Sequence, residues 1–205
     1  MPRHAFKFPR EVVAAVKLHV RRAIDAVEPT RYRQEPQYTA ALVNRLEGVA
    51  YEGKHGSVVF HSTDFDDRSR ASAEYRLGAD FAITATISDG ITNVRKAILV
   101  QAKLGEIDGL TEAERASLRT QITKMKKHVA APKVMEIVER DDKRFPKMVS
   151  GNKVLAGSRY TPMALPEYFT ARVTTTFDGC TDPCLIERVQ DSSFPCIVVA
   201  AKLQR

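Results

Sequence analysis

Apolar residues recur every three or four positions along the first fifty residues, then give way to short runs of β-branched and aromatic side chains. The chain therefore opens with helices and continues with strands. After Pro9, a residue suited to begin a helix, Val12, Val16, Val20, Ile24 and Val27 form one stripe that stops before Pro29. A second stripe starts at Glu35 with Tyr38, Leu42, Val43, Leu46 and Val49, and predicts a helix ending near Tyr51, ahead of Gly53 and Gly56. Residues 57–61, 80–88 and 96–104 predict three strands. Thr111 to Glu114 has capping-box spacing, and Leu118, Ile122, Met125 and Val129 trace the apolar face of a third helix up to Pro132. Residues 133–138 predict a strand that, after this helical crossover, runs parallel to the one before it. Beyond Asp141 the pattern weakens: 172–177 and 196–202 suit strands, and 146–169 has no period.

The turn at Asp89-Gly90 makes the second and third strands an antiparallel pair, and its position sets their register. Opposed residues then have numbers that sum to 181, which sets Asp80 opposite Gln101, Ala82 opposite Leu99 and Thr84 opposite Ala97. Alternation puts Lys103 on the same face as Gln101, whereas Phe81, Ile83, Ile87, Ile98, Val100 and Leu104 share the other. One face is apolar. The other gathers a carboxylate, an amide and an amine at one end, where such groups need one another or a metal ion as partners.

Composition narrows the class. A chain of 205 residues, 43% hydrophobic and without internal repeat or linker, suits one domain, with 1–34 as an N-terminal helical extension, 35–138 as the core and 139–205 as an elaboration. No apolar run reaches the length of a membrane span, and charges at Arg3, Lys7, Arg10 and Glu11 interrupt any secretory signal, so the expected location is the cytoplasm. The odd number of cysteines, three, points to reduced thiols, and Cys180, Cys184 and Cys196 lack a following histidine to complete a zinc set. Asp64, Asp66 and Asp67 read as a solvated turn. The histidines lack ligand spacing, no nucleophile motif occurs, and no Gly-rich phosphate loop supports ATP chemistry.

Net charge is +7, and it is unevenly spread: residues 115–135 carry Arg115, Arg119, Lys124, Lys126, Lys127 and Lys133 with no acid. Such a surface favours a polyanion.

The string Gly78-Ala79-Asp80, a hairpin, and then Gln101-Ala102-Lys103, preceded by a helix bearing Glu47, resembles the PD-(D/E)xK, or restriction-endonuclease-like, nuclease superfamily. The resemblance covers residues 35 to about 138 and implies an α/β fold in which helices flank a central mixed β-sheet. It implies that Asp80 is the first motif carboxylate, Lys103 the motif lysine and Glu47 the helix acid. Gln101 stands where the family usually has Asp or Glu, a Gln-x-Lys form similar to that of Mrr-like and antiviral-defence nucleases. Glutamine offers a carbonyl oxygen without charge, so Mg²⁺, or Mn²⁺ in its place, would rest on Asp80 and Glu47 with the backbone carbonyl of Ala102. Gln121 occupies a position where related nucleases often carry a polar residue.

The implied activity is metal-dependent hydrolysis of DNA phosphodiesters leaving a 5′ phosphate, as a bacterial or phage-defence effector working as a homo-oligomer or with a partner protein. Arg68, Arg70 and Arg76, with Gln121, Lys124, Lys126 and Lys127, would grip the backbone. Cleavage of RNA, or an inactive nucleic-acid-binding or interaction module of the same fold, are the alternatives.

Overall fold

The computed structural model describes residues 6–63, 76–141, 143–175, 177–190 and 194–204. Their centre is an eight-stranded mixed sheet in the order β1-β2-β8-β3-β4-β5-β6-β7, covered by helices on both faces. The chain forms α1 (Arg10–Asp25) and α2 (Glu35–Arg45), the hairpin β1 (Gly48–Gly53) and β2 (Gly56–Ser62), and the hairpin β3 (Phe81–Ser88) and β4 (Asn93–Leu104). A crossover through α3 (Glu112–Met125) leads to β5 (Lys133–Arg140), which runs parallel to β4. There follow β6 (Lys143–Ser150), α4 (Gly151–Leu155), β7 (Met163–Ala164), α5 (Leu165–Tyr168), α6 (Pro183–Gln190) and β8 (Cys196–Leu203).

The β3–β4 register is the one that the turn dictates: Ala82 pairs with Leu99 and Thr84 with Ala97. Asp89 Oδ1 fixes the turn by accepting the Ile91 and Thr92 N–H groups at 3.1 and 2.8 Å. Phe81, Ile83, Ile87, Ile98 and Val100 are buried with the apolar stripes of α1 and α2. The opposite face sets Ala82, Ala97, Leu99 and Val134 against Leu118, Ile122 and Met125 of α3 and Leu185, Ile186 and Val189 of α6. The α3 N-terminus is closed by the expected capping box between Thr111 and Glu114.

Three expectations fail. Helix α2 stops at Arg45, because Gly48 takes φ +135° and the chain turns into β1, leaving Val49 56% exposed instead of in an apolar stripe. Leu104, expected on the apolar face, is 39% exposed at the end of β4. Among the described residues of 172–177 no strand forms, and Phe169–Val173 closes as a π-helical turn. Residues 196–202 do form the expected strand, β8, which lies between β2 and β3, antiparallel to the first and parallel to the second. An apolar run such as Cys196-Ile197-Val198-Val199-Ala200-Ala201 suits a strand covered on both faces. No described helix is long and apolar enough to cross a membrane.

Gly78 sets the approach of α3 to the start of β3. At φ +71° a Cβ there would come within 2.6 Å of the Gln121 carbonyl oxygen and 2.7 Å of Lys124 Cβ, so α3 can sit this close only over a glycine. Gly78→Ala is expected to lower the free energy of unfolding by about 2–4 kcal/mol in urea denaturation, through overpacking and backbone strain together. A loss below about 1 kcal/mol would mean that α3 yields freely.

Candidate functional site

Asp80 sits at the mouth of β3, its N–H held by the Val100 carbonyl at 2.9 Å, so the pairing that makes the hairpin also aims its carboxylate across β4. There Oδ2 accepts the Ala102 N–H at 2.7 Å and the side-chain amide of Gln101, which also reaches the Ala102 carbonyl at 3.4 Å. Both bonds to Asp80 fall on Oδ2. Part of the Asp80 residue is exposed, yet its carboxyl is sunk deeply enough that burial pushes its pKa up to about 6. The Lys103 ammonium and the two hydrogen bonds pull the other way, and the neighbouring Glu35 carboxylate adds to the rise.

Lys103 completes the cluster. Its Nζ lies 2.9 Å from Glu35 Oε1, and Glu35 Oε2 accepts the Leu104 N–H at 2.9 Å. Glu35 is the first residue of α2, a position set by Pro36 behind it and favourable to a carboxylate at the positive end of the helix. The helix carboxylate that reaches this cluster is therefore Glu35. Glu47, expected in that role, follows the end of α2, is exposed and accepts a 2.6 Å hydrogen bond from Ser62 Oγ on β2. The Glu-Pro helix start was the available signal; it went unused because the predicted helix ran to Tyr51.

Asp80, Gln101, Ala102 and Lys103 thus come together, with Glu35 added. Gln121 and Lys124 lie beside Gly78, two residues from Asp80, and the Gln121 Oε1 atom is buried without a hydrogen-bond partner. Lys126 and Lys127 are exposed just past α3, and Arg76 is exposed before β3. Arg68, Arg70 and the turn at Asp64, Asp66 and Asp67 lie outside the described residues.

Across β5, Glu136 is the register partner of Lys103. It is buried, and its Oε1 accepts the Ile107 N–H at 2.9 Å and stands 3.2 Å from the Tyr160 hydroxyl. Sequence reasoning missed Glu136, which reads there as one more strand residue. It also missed Lys96, buried in β4, whose Nζ donates to the Arg172 carbonyl at 2.7 Å and to that of Thr175. Burial lowers the Lys96 pKa to about 7. Among the thiols, Cys196 is buried against Thr84 with its pKa raised to about 11 by burial, Cys184 is exposed, and Cys180 forms a β-bridge to Ala97.

Among the described residues no three His, Cys, Asp or Glu side chains gather closely enough to hold a metal. A cation at the β4 end would instead rest on two carboxylates, Asp80 and Glu35, with the Gln101 amide and the Ala102 carbonyl as neutral oxygens. That donor set fits Mg²⁺, which takes hard oxygens, keeps several waters and is commonly held by one or two carboxylates. A sunken carboxylate with a raised pKa also gains most from a neighbouring positive charge.

The raised pKa has a sign. Folding favours the protonated form of Asp80, so the stability linked to it is complete below about pH 3.8 and is lost as pH rises through about 6. Above that, the buried anion costs at most about 3 kcal/mol. Asp80→Asn is therefore expected to match or exceed the wild type in urea denaturation at pH 7.5, by up to that amount, with the gap narrowing at pH 4.5. A variant clearly less stable than wild type at pH 7.5 would show that the anion is a net structural asset.

Comparison with known proteins adds no relative: no family model, no curated protein and no solved structure matches the chain.

Proposed function

We propose that the protein is a metal-dependent endonuclease that hydrolyses phosphodiester bonds of DNA. The observation that carries the reading is the convergence of Asp80, Gln101 and Lys103 with Glu35 at the end of one strand pair. Two carboxylates beside an ammonium and an amide are what phosphodiester hydrolysis asks of a protein: hard ligands for a cation, and a mobile positive charge near the phosphate.

In this reading Asp80 and Glu35 hold Mg²⁺ or Mn²⁺, assisted by the Gln101 side chain and the Ala102 carbonyl. When bound, the ion would polarise the phosphate oxygen and lower the pKa of a coordinated water. The chain's own residues do the rest. The β4 backbone fixes Asp80 through the Ala102 N–H, so the carboxylate is oriented before substrate arrives. The Lys103 ammonium, held by Glu35, turns toward the phosphate to offset charge that develops on it and to orient the attacking water. Lys124, Lys126 and Lys127, with Arg76, supply contacts to the nucleic-acid backbone. Work as a homo-oligomer or with a partner protein in a defence setting belongs to the same proposal.

One observation favours a second reading, a binding module without catalysis. The Gln101 amide already satisfies Asp80, as a purely structural glutamine would. The two readings part on metal and activity.

Plasmid cleavage is expected with Mg²⁺ and not with EDTA. Asp80→Asn, Glu35→Gln and Lys103→Met should each lower the rate at least a hundredfold, while Glu47→Gln stays within about twofold of wild type. Full activity of Asp80→Asn or Lys103→Met overturns the assignment. Calorimetry showing no Mg²⁺ or Mn²⁺ binding that depends on Asp80 would leave the binding module, and cleavage confined to RNA would change the substrate but not the site.

A further inference from the structure

A cavity of about 460 Å³ opens between α3, the β5–β6 pair and the segment 151–162, a size that suits a small organic ligand. Its floor is apolar and aromatic, from Ile107, Leu118, Val154, Pro162 and Tyr160. Its rim is basic: Arg119, Lys147, Lys153 and Arg159 line it, and among the described residues none of the four has a carboxylate within 4.0 Å. Two of the cavity's three acids have partners apart from Tyr160. Glu106 pairs with Arg140 at 3.4 Å, and Glu136 takes the Ile107 N–H. The adjoining smaller cavity differs, because its Lys133 is committed to Asp178 at 3.0 Å.

The floor also holds an unmatched acceptor. The Tyr160 hydroxyl stands 3.2 Å from Glu136 Oε1 and 3.3 Å from Asp108 Oδ1, but a phenol carries a single proton. Whichever carboxylate it does not serve retains an acceptor for a donor group on a ligand. A flat apolar floor, an acceptor for an N–H or O–H, and an unpaired cationic rim together describe one nucleotide: base, donor edge or sugar, and phosphate.

Position says where that nucleotide belongs. Glu136 lies directly across from Lys103 on the neighbouring strand, about 4.8 Å away, so the cavity begins one strand from the cluster around Asp80. We propose that the cavity is a substrate subsite that seats the nucleotide adjoining the scissile phosphate, with its phosphate between Lys153 and Arg159, its base over Tyr160, and Asp108 or Glu136 accepting from its donor edge. This rests on the phosphodiesterase reading for the position of the cut, but not for nucleotide binding itself.

The test uses the full chain. Binding of a short single-stranded oligodeoxynucleotide, and its competition by a deoxynucleoside monophosphate, would be measured by fluorescence anisotropy on Asp80→Asn protein, with and without Lys153→Ala/Arg159→Ala. Both substituted cations are exposed, so folding is preserved. The double substitution should weaken both ligands tenfold or more, whereas Arg21→Ala/Arg22→Ala on α1 changes them less than twofold. In otherwise wild-type protein, Lys153→Ala/Arg159→Ala should raise KM for cleavage more than it lowers kcat. Unchanged oligonucleotide affinity overturns the subsite, even if the mononucleotide is lost, and an equal loss in the α1 control reduces the effect to overall charge and overturns it too. If the wild type does not cleave but the cavity variant still loses nucleotide, the binding site stands and the nuclease reading falls. If cleavage depends on Asp80 but is indifferent to Lys153 and Arg159, the subsite alone falls.

Discussion

One carboxylate organises this end of the molecule. A buried carboxylate without partners costs several kcal/mol, so Asp80 can exist where it does only because β4 offers it a backbone N–H and an amide from consecutive residues. That supply depends on the β3–β4 register, since a slip of one residue would turn Gln101 to the opposite face. Gly78, two residues before Asp80, lets α3 pack closely against the start of the same strand. The elevated Asp80 pKa is a result of the carboxylate's burial.

The sheet topology turns that local cluster into a crevice. Because β4 and β5 are parallel, their carboxyl ends finish on the same side, and the chain leaving β4 there crosses back through α3 to the start of β5. The row Lys103, Glu136 and Lys147 runs across β4, β5 and β6 on one face, alternating in sign. Open α/β sheets bind ligands beyond the carboxyl ends of their strands, and the cavity under α3 continues the same polar row. Lys96, by contrast, anchors the π-helical turn through two carbonyls and belongs to the framework.

What was legible in the sequence was what local chemistry fixes. The Asp89-Gly90 turn gave the register of β3 on β4, and with it the meeting of Asp80, Gln101 and Lys103. The Thr111 capping box gave the start of α3, and the crossover gave the parallel β5. What escaped was set by packing between distant segments. Whether Glu35 or Glu47 reaches β4 depends on where α2 docks and on Gly48 ending it early, neither of which an apolar stripe encodes. The entry of β8 between β2 and β3 joins residues more than a hundred positions apart, and Glu136 gains its meaning only from Lys103 on the next strand.

Gln101 is where the electrostatics decide between designs. Asp80 and Glu35 carry two negative charges and Lys103 one positive, so with a neutral glutamine the cluster holds a net charge of −1. An acid at position 101 would stand within hydrogen-bonding reach of Asp80 in a sunken site, where like charges raise each other's pKa and one of the pair would take up a proton. Glutamine removes that conflict and converts the neighbour from a rival into a donor. For the metal site proposed above, the exchange would sacrifice one anionic ligand and with it part of the pull on a divalent ion, while leaving Asp80 held by the β4 N–H and the Gln101 amide. The β4 strand therefore supplies Asp80 with structure first, and in the proposed reaction the carboxylate's remaining oxygen, together with Glu35, would be what is left for a cation.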